Sequence, residues 1–259
     1  VSVESEGQAV VQGTITLVDG DNVLNTTVIT QEENIIGYTF LLEDTYTYKL
    51  SYNDDKYTAD DVEVVFNIAK DSVSIVADNQ VGFVGEEVTI PVSVVKGEDS
   101  IQQGTVYLVD ENDEVVDSVV LSDADAELKA VFDSEGTYSL KLRYDNFKYT
   151  ADDKPITITI NKIPVTLSID ELEAFVDKDA TITARVTLDG TVISQGSVEF
   201  FVDDISIGTA SVTDSVATIT YKFPAATQYN VKAVYTDVKY IAEDQTTTVD
   251  VTKTPAVIN

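Results

Sequence analysis

The sequence predicts an all-β protein built of tandem antiparallel β-sandwiches, and two observations support this prediction. Apolar and polar residues alternate along many short segments such as Tyr138–Tyr144, and this period of two is typical of a strand with one buried face. One segment also occurs three times, at residues 52–61, 144–153 and 235–244, and the copies begin 92 and 91 residues apart. A repeat of this length is the size of an ordinary domain and exceeds most solenoid repeats.

Other residues keep the same spacing in every copy of the repeat. A Gln-Gly pair recurs, and so does a tyrosine that follows a phenylalanine by six residues. The glycines are Gly13, Gly104 and Gly196, and the tyrosines are Tyr46, Tyr138 and Tyr229. Glycine and aromatic residues serve turns and packing, so these positions indicate a repeated shape rather than repeated chemistry.

The repeat divides the chain into units that are numbered in order. Unit 1 covers residues 1–71, unit 2 covers residues 72–163, unit 3 covers residues 164–254, and residues 255–259 begin a further repeat. The links between units are short and lack a Gly/Ser-rich stretch, and a proline fixes one backbone dihedral at two of them. We therefore expect a semi-rigid rod with little slack between units.

Each unit is predicted to hold about seven short strands separated by turns, which is the pattern of an immunoglobulin-type sandwich. The clearest alternation begins at Tyr46, Tyr138 and Tyr229, and Asp19-Gly20-Asp21 between two apolar runs predicts a hairpin turn. No convincing amphipathic helix is present. The three tyrosines begin the penultimate strand of their units, where a tyrosine corner would place the hydroxyl against the backbone.

The chain is strongly acidic, with 46 Asp and Glu residues, 16 Lys and Arg residues and a formal net charge of −30. A phosphate backbone needs a basic surface, and anionic lipid repels acidic protein, so the charge argues against nucleic acid and anionic membrane surfaces as partners. No apolar run is long enough to span a bilayer, so we expect no membrane insertion of this segment. The charge predicts solubility and mutual repulsion between neighbouring rods.

Two residue types that many catalytic sites use are absent. The chain has no His and no Cys, so it cannot form an imidazole base, a Ser-His-Asp triad or a Cys-His nucleophile. We therefore predict that the protein is not an enzyme. The units must be stabilised by packed cores, because no disulfide is available.

The combined pattern resembles a known family. Residues 103–110, the strand at 136–144 and the Lys-Tyr-Thr-Ala-Asp-Asp end at 148–153 are similar to bacterial and archaeal Ig-like repeats, as in the tandem repeats of adhesin-like surface proteins. The resemblance covers nearly the whole chain. It implies an extracellular, cell-surface location, a stalk or adhesive role and further copies in the parent protein, and it carries over no catalytic residue.

Unit 1 is incomplete at its N-terminal side. Val1-Ser2-Val3 aligns with Val92-Ser93-Val94, so unit 1 lacks the first strand and part of the second. Two explanations are open. The chain is a window cut from a longer array, or the open sheet of unit 1 accepts a strand from a neighbour, as in filaments assembled by β-strand complementation.

The main repeated charge feature is a pair of acids in the loop before the last strand of each unit. The pairs are Asp60-Asp61, Asp152-Asp153 and Glu243-Asp244. Paired carboxylates at a domain junction could bind Ca²⁺, which takes about six to eight oxygen ligands. The other interpretation is a solvated acidic loop that makes weak ion pairs with Lys70 or Lys162. No cofactor other than Ca²⁺ is predicted.

Three further features are weaker. Lys56, Lys148 and Lys239 recur beside a tyrosine, but an isopeptide bond would need an Asn at a fixed place in every unit and none recurs, so we expect the lysine stems to cover the tyrosine rings. Asn25 begins an Asn-Thr-Thr glycan acceptor triplet. Exposed tyrosines could stack on sugars, although aromatic residues at strand period are more often core.

These observations lead to one functional expectation and two alternatives. We expect a non-enzymatic, extracellular structural or adhesin-like repeat protein that forms a semi-rigid stalk or adhesive array. Its expected partners are other copies or repeats of the same protein and a cell-surface glycan or protein receptor. The alternatives are a subunit of an extracellular filament assembled by strand complementation and a carbohydrate-binding array.

Overall fold

The computed structural model describes residues 1–122 and 126–254, and every regular element in these ranges is a β-strand. The all-β prediction is confirmed. Among the described residues, no helix is long and apolar enough to cross a membrane. The predicted start of a further repeat, at residues 255–259, lies outside the described residues.

The strands follow the repeat. In unit 1 they are β1 (Glu4–Ser5), β2 (Gln8–Ala9), β3 (Thr14–Asp19), β4 (Asn22–Val28), β5 (Asp44–Asn53) and β6 (Val62–Ile68). The first link and unit 2 contain β7 (Asp71–Ser72), β8 (Ser74–Val76), β9 (Gln80–Phe83), β10 (Glu87–Lys96), β11 (Asp99–Ser100), β12 (Thr105–Val109), β13 (Val115–Val120), β14 (Ala126–Val131), β15 (Gly136–Asp145), β16 (Tyr149–Thr150) and β17 (Lys154–Asn161). The second link and unit 3 contain β18 (Ile163–Pro164), β19 (Thr166–Ile169), β20 (Ala174–Phe175), β21 (Asp179–Thr187), β22 (Ser197–Val202), β23 (Ile205–Ser211), β24 (Val216–Lys222), β25 (Gln228–Thr236), β26 (Tyr240–Ile241) and β27 (Gln245–Thr252).

Unit 2 is a sandwich of two sheets. One sheet has the order β11-β10-β14, with β8 also paired to β10, and the other has the order β13-β12-β15-β17-β9. The pairs within these two sheets are antiparallel except β9–β17, which is parallel. Alternate residues of β14 are buried, as the period of two predicts. The inward faces form one core in which Ile90, Leu108, Leu128 and Leu142 are fully buried.

Unit 3 repeats this layout. Its sheets have the orders β19-β21-β24 and β20-β27-β25-β22-β23. The core is formed by its own residues, with Phe200 and Phe223 at the centre. Among the described residues, the two cores have no member in common, so each of these units buries its own apolar face.

Unit 1 has a four-stranded sheet with the order β4-β3-β5-β6, and its second sheet consists of β1 and β2. Residues 34–39, the counterpart of β14, form no strand among the described residues. Two backbone hydrogen bonds join these residues to the start of the chain. The Val1 amine donates to Asn34 O at 2.7 Å, and Asn34 N donates to Val1 O at 2.8 Å. Ile35 and Leu41 are 90% and 77% exposed.

A contact that we call the clasp recurs just before β3, β12 and β22, where a tyrosine side chain meets a Gln-Gly pair. In unit 2 the hydroxyl of Tyr144 donates to Gln103 O at 2.7 Å, and the tyrosine ring lies against the following glycine, Gly104. A Cβ on Gly104 would stand 2.7 Å from both this ring and Asp145 O, and the residue has a φ of +94°. The same clasp joins Tyr52 to Gln12-Gly13 and Tyr235 to Gln195-Gly196.

The tyrosines at the start of the penultimate strand bond to the backbone four residues earlier. The hydroxyls of Tyr46 and Tyr138 donate to Leu42 O at 3.1 Å and to Ser134 O at 2.9 Å. In unit 3 the direction is reversed, since Ala225 N donates to the Tyr229 hydroxyl at 3.1 Å. Each contact ties the preceding loop to the sheet.

We expect Gly104→Ala to lower the free energy of unfolding of unit 2 by about 2–5 kcal/mol, because it adds both left-handed backbone strain and a clash with the clasp. The matched control is Gly97→Ala, which also has positive φ but has no atom within 4 Å of the added Cβ, so about 1–2 kcal/mol is expected. Hydrogen exchange of the β12 and β15 amides measures the loss of unfolding free energy in each variant. Equal losses in the two variants would contradict the role of the clasp.

Alkaline pH should weaken the clasp. Burial raises the pKa of Tyr144 to about 12, and burial also raises the pKa of Tyr235. The folded state favours the neutral phenol. The contribution of the clasp to the free energy of unfolding is therefore fully present below about pH 10 and is lost as the pH rises towards the folded-state pKa. The double variant Tyr144→Phe/Tyr235→Phe should therefore lose less stability between about pH 10 and 12 than the parent, whereas Tyr107→Phe should follow the parent. Parallel denaturation curves for all three would refute this.

Candidate functional site

The junctions between units are the candidate functional sites, and each is built on a loop that we call the receiving loop. The loops are residues 54–58, 146–150 and 237–241. In unit 2, Asn146 Oδ1 accepts hydrogen bonds from Lys148 N at 2.8 Å and Tyr149 N at 3.0 Å. Such a side-chain-capped turn is favoured by Asn and Asp, and Asp54 and Asp237 make the same contacts in the other units.

The clasp and the receiving loop are connected. Gln12 Nε2 donates to Asp54 Oδ1 at 2.9 Å, and Gln195 Nε2 donates to Asp237 Oδ1 at 3.1 Å. The glutamine whose carbonyl accepts the clasp hydroxyl thus also holds the loop through its side chain. This hydrogen bond is the largest cause that lowers the pKa of Asp54.

The repeated lysine of each loop lies over the ring of the next residue. The distances from Nζ to the ring centroid are 4.9 Å for Lys56, 5.2 Å for Lys148 and 5.8 Å for Lys239. A cation over an aromatic face is a favourable contact worth about 0.5–1 kcal/mol at an exposed site. The lysines therefore stiffen the loops.

The receiving loop binds the link that enters its unit. β16 pairs in parallel with β7, and two backbone bonds flank the pair: Asp71 N donates to Lys148 O at 3.0 Å and Val73 N donates to Thr150 O at 2.9 Å. Lys96 Nζ adds an ion pair with Asp71 at 2.8 Å.

Unit 3 makes the same junction. β26 pairs with β18, Ile163 N donates to Lys239 O at 2.9 Å, and Val165 N donates to Ile241 O at 2.8 Å. Lys162 Nζ donates to Asp237 O at 2.8 Å. The direction in which the chain enters a unit is thereby set by that unit itself.

The predicted acidic pairs do not lie beside the links. The second acid of each pair contacts a side chain of β5, β15 or β25. Asp153 lies 3.3 Å from Arg143, and Asp244 lies 2.9 Å from Lys232. Asp61 accepts a hydrogen bond from Ser51 at 2.6 Å. The first acids, Asp60, Asp152 and Glu243, are exposed.

The prediction that these acids form ion pairs with Lys70 or Lys162 is wrong. Lys70 contacts Glu43 at 3.3 Å, and Lys162 contacts Glu135 at 3.3 Å. The reason is the register of the last strand, which pairs Lys154 with Leu142 and so places Asp153 beside the middle of β15. The receiving loop, not the acidic pair, faces the link.

The calcium interpretation of the acidic pairs stays a prediction. Within 1–122 and 126–254, no three or more acidic side chains come together in a group that could hold a metal ion. Asp153 shares its carboxylate with two cations, Lys141 and Arg143. A calcium ion at this place would have to displace them.

The acceptor triplet lies on the outer strand of unit 1. Asn25 is exposed, and its side-chain nitrogen donates to Gly37 O at 2.6 Å while its oxygen accepts from Thr26 N at 2.8 Å. Glycosylation of Asn25 stays a prediction.

Comparison with known proteins adds only distant likenesses. No protein-family model matches the sequence, and a search of curated proteins finds no match. The fibronectin(III)-like modules of CbhA from Clostridium thermocellum are 18% identical with a TM-score of 0.31, and the match covers 70% of this chain and 94% of that one. The Yersinia pseudotuberculosis adhesin InvE is 13% identical with a TM-score of 0.36, covering 69% of this chain and 58% of that one.

A two-domain fibronectin type-III segment of chicken tenascin is 11% identical with a TM-score of 0.37, and the match covers 70% of this chain and 98% of that one. Likenesses at this level of identity and overlap carry no argument about what the chain does.

We expect addition of millimolar Ca²⁺ to give no saturable heat by calorimetry and no shift in thermal midpoint beyond that caused by Na⁺ at equal ionic strength. The physical reason is that the second acid of each pair already bonds to a hydroxyl or a cation, as Asp61, Asp153 and Asp244 do. The control is Asp153→Asn, which should leave both readouts unchanged. A stoichiometric heat that this substitution abolishes would establish a calcium site.

Proposed function

We propose that this chain is a non-enzymatic segment of an extracellular, cell-surface protein in which tandem sandwiches carry tension as a stalk or adhesive array. The observation that carries the proposal is the parallel pairing of the second strand of a sandwich with its last strand. β9 runs parallel to β17 in unit 2, and β20 runs parallel to β27 in unit 3.

Parallel terminal strands resist a pull on the two ends of a unit. The chain enters before β9 and leaves after β17, so tension draws the two strands in opposite directions along their length. Their hydrogen bonds are then loaded together instead of breaking one after another. The contact includes four residue pairs, Gln80–Phe83 with Ile158–Asn161, and continues with Val84 N donating to Asn161 O at 3.0 Å.

The junctions support the same role. Each link is held by backbone hydrogen bonds to the receiving loop of the next unit, so force enters a unit at a defined point. A long flexible linker would absorb extension before any unit was loaded. The proposed partners of the adhesive form are a cell-surface glycan or protein receptor.

The composition supports a role outside catalysis. The chain contains no His or Cys, and carboxylates at its junctions serve as turn caps and surface ion pairs. A net charge of −30 keeps neighbouring molecules apart at low ionic strength. We infer that the chain supplies length and strength rather than chemistry.

Single-molecule stretching from the two ends tests the proposal. Unit 1 has no pair of parallel terminal strands among its described residues, and the contact in unit 3 has two residue pairs, where unit 2 has four. We expect unit 1 to open first, unit 3 second and unit 2 at the highest force. Each of the last two steps should lengthen the chain by roughly 300 Å, set by about 3.3–3.6 Å per extended residue.

A matched pair of substitutions identifies the responsible contact. Asn79 Oδ1 accepts from Thr157 N at 2.8 Å and so ties the start of β9 to β17. The side chain of Gln80, in contrast, donates to Asp78 O two residues earlier. Asn79→Ala should lower the force of the last step alone, and Gln80→Ala should not. Unfolding of all units at one low force would contradict the mechanical role of the β9–β17 pairing.

A further inference from the structure

The first two sandwich strands of units 2 and 3 pair with different sheets, and we call the residues between them the crossing segment. In unit 2, β8 pairs with β10 of the first sheet and β9 pairs with β17 of the second, so the crossing segment is residues 77–79. In unit 3, β19 pairs with β21 of the first sheet and β20 pairs with β27 of the second, so it is residues 170–173. Residues 74–83 and 166–175 align without a gap.

The two units divide the same length of chain differently between the sheets. In unit 2, three residues pair with the first sheet and four pair with the second, whereas in unit 3 the numbers are four and two. Asp170 N also donates to Thr183 O at 2.9 Å, which continues the pairing of β19 with β21 by one more bond. Pairing with one sheet is therefore longer where pairing with the other is shorter.

A groove lies on opposite sides of the crossing segment in the two units. In unit 2 the groove has a volume of about 520 Å³ and lies between the crossing segment and residues 91–93 of β10. In unit 3 it has a volume of about 630 Å³ and lies between the crossing segment and residues 247–250 of β27. Each groove thus marks the sheet with which the crossing segment of that unit does not pair.

A different side chain anchors the crossing segment in each unit. In unit 2, Asn79 Oδ1 accepts from Thr157 N at 2.8 Å and holds the segment on β17, whereas the counterpart of this asparagine in unit 3 is the exposed Glu171. In unit 3 the anchor is Asp170. Its two carboxylate oxygens accept from Arg185 Nε at 2.9 and 3.0 Å, and its Oδ2 lies 2.8 Å from Arg185 Nη2. Since Arg185 belongs to β21, this ion pair holds the segment on the first sheet.

Unit 2 lacks the ion pair because the counterpart of Arg185 is Ser93. The acid itself is kept, as Asp78. Pro91 stands where unit 3 has Thr183, and a proline retains the carbonyl oxygen to which the additional backbone bond would go. The arginine is therefore the group that unit 2 would need in order to hold its crossing segment on the first sheet.

We propose that Arg185 holds the crossing segment of unit 3 on the first sheet and thereby limits the parallel β20–β27 contact to two residue pairs. Arg185 is a positioning residue, because it acts through Asp170. Without the arginine, residues 172–173 would pair with residues 249–250, as their counterparts do in unit 2. The consequence for strength rests on the proposed function: the ion pair makes unit 3 weaker under tension than unit 2.

A modest ion pair is enough to decide where the segment lies. Transfer of the segment to β27 replaces backbone hydrogen bonds on the first sheet with similar bonds on the second, so the two arrangements nearly balance. An exposed ion pair contributes little in most cases. A guanidinium that engages both oxygens of a carboxylate, however, forms the stronger bidentate type. Arg185 thus biases an otherwise close equilibrium.

Hydrogen exchange of one amide in the full chain tests the proposal. Val251 N donates to Thr227 O on the β25 side, so the backbone groups of Asp250, one residue earlier, point to the opposite edge, towards β20. Among the described residues, β27 pairs with β20 only through Val251 and Thr252. We expect Arg185→Ser to slow exchange of the Asp250 amide by about tenfold or more, because the amide enters a ladder bond that opens only by local unfolding.

The control is Lys222→Ser, which removes the same charge and another ion pair of unit 3, the contact of Lys222 with Asp179 at 3.5 Å. It should leave exchange of the Asp250 amide unchanged. Loss of an ion pair with a merely stabilising role would speed exchange in β19 and would not slow it at Asp250. Unchanged or faster exchange of the Asp250 amide in Arg185→Ser would overturn the proposal.

A reciprocal transplant tests the same rule in unit 2. The variant Ser93→Arg/Asn79→Glu has the unit 3 residues at both anchor positions. Its crossing segment should move to β10, and the amide of Thr159, the counterpart of Asp250, should exchange faster than in the parent. Asn79→Glu alone is the control. If addition of the arginine to this single variant does not speed exchange of the Thr159 amide further, the proposal is wrong.

Stretching of the same variants separates this proposal from the proposed function. If both are correct, Arg185→Ser should raise the unfolding force of unit 3 towards that of unit 2. Slower exchange at Asp250 without a change in force would support the role of Arg185 and contradict the mechanical role of the parallel contact. Unchanged exchange, with units opening in the predicted order, would overturn the role of Arg185 and support the mechanical function.

Discussion

The architecture depends on the clasp between a tyrosine ring and a glycine that has no side chain to obstruct it. The ring of Tyr144 occupies the space beside Gly104, and its hydroxyl satisfies the carbonyl of Gln103. This contact holds the end of β15 against the start of β12. Because the receiving loop begins two residues later, the clasp also sets the position of the loop and, through it, of the link. Packing inside the unit and connection between units therefore share one anchor.

Unit 1 shows how much of the sandwich depends on strand pairing rather than on local sequence. Its residues 34–39 have counterparts that form β14, yet they remain outside any strand, and two backbone hydrogen bonds between Val1 and Asn34 connect them to the facing residues. The aromatic side chains compensate in part: Phe40 lies within about 5 Å, centroid to centroid, of Tyr38, Tyr46 and Phe66. An aromatic cluster can cover one face of a sheet, but it cannot replace the backbone hydrogen bonds of a second sheet.

Much of the fold could be predicted from the sequence, because strand alternation is a local property. The segment Tyr138–Tyr144 alternates cleanly, and it lies within β15. The repeated Gln-Gly pair could be recognised as structural from its spacing alone, but the reason for it could not, since the ring that needs the glycine comes from a distant strand. The receiving loops were missed for a related reason. Their contact with the link is made by backbone atoms, and a backbone hydrogen bond has no residue signature; the recurring Asp or Asn at 54, 146 and 237 was the available sign. The acidic pairs are prominent in the sequence because of their charge. The strand register, however, places the second acid of each pair beside Ser51, Arg143 or Lys232.

The receiving loop that binds each link belongs to the unit that follows the link. β16 binds β7 in this way at the start of unit 2, and β26 binds β18 at the start of unit 3. A repeat is consequently a self-contained cassette that brings its own coupling with it. Duplication or loss of one cassette by recombination would change the length of the protein while leaving every remaining coupling chemically intact, so reach could evolve in whole increments without any compensating substitution.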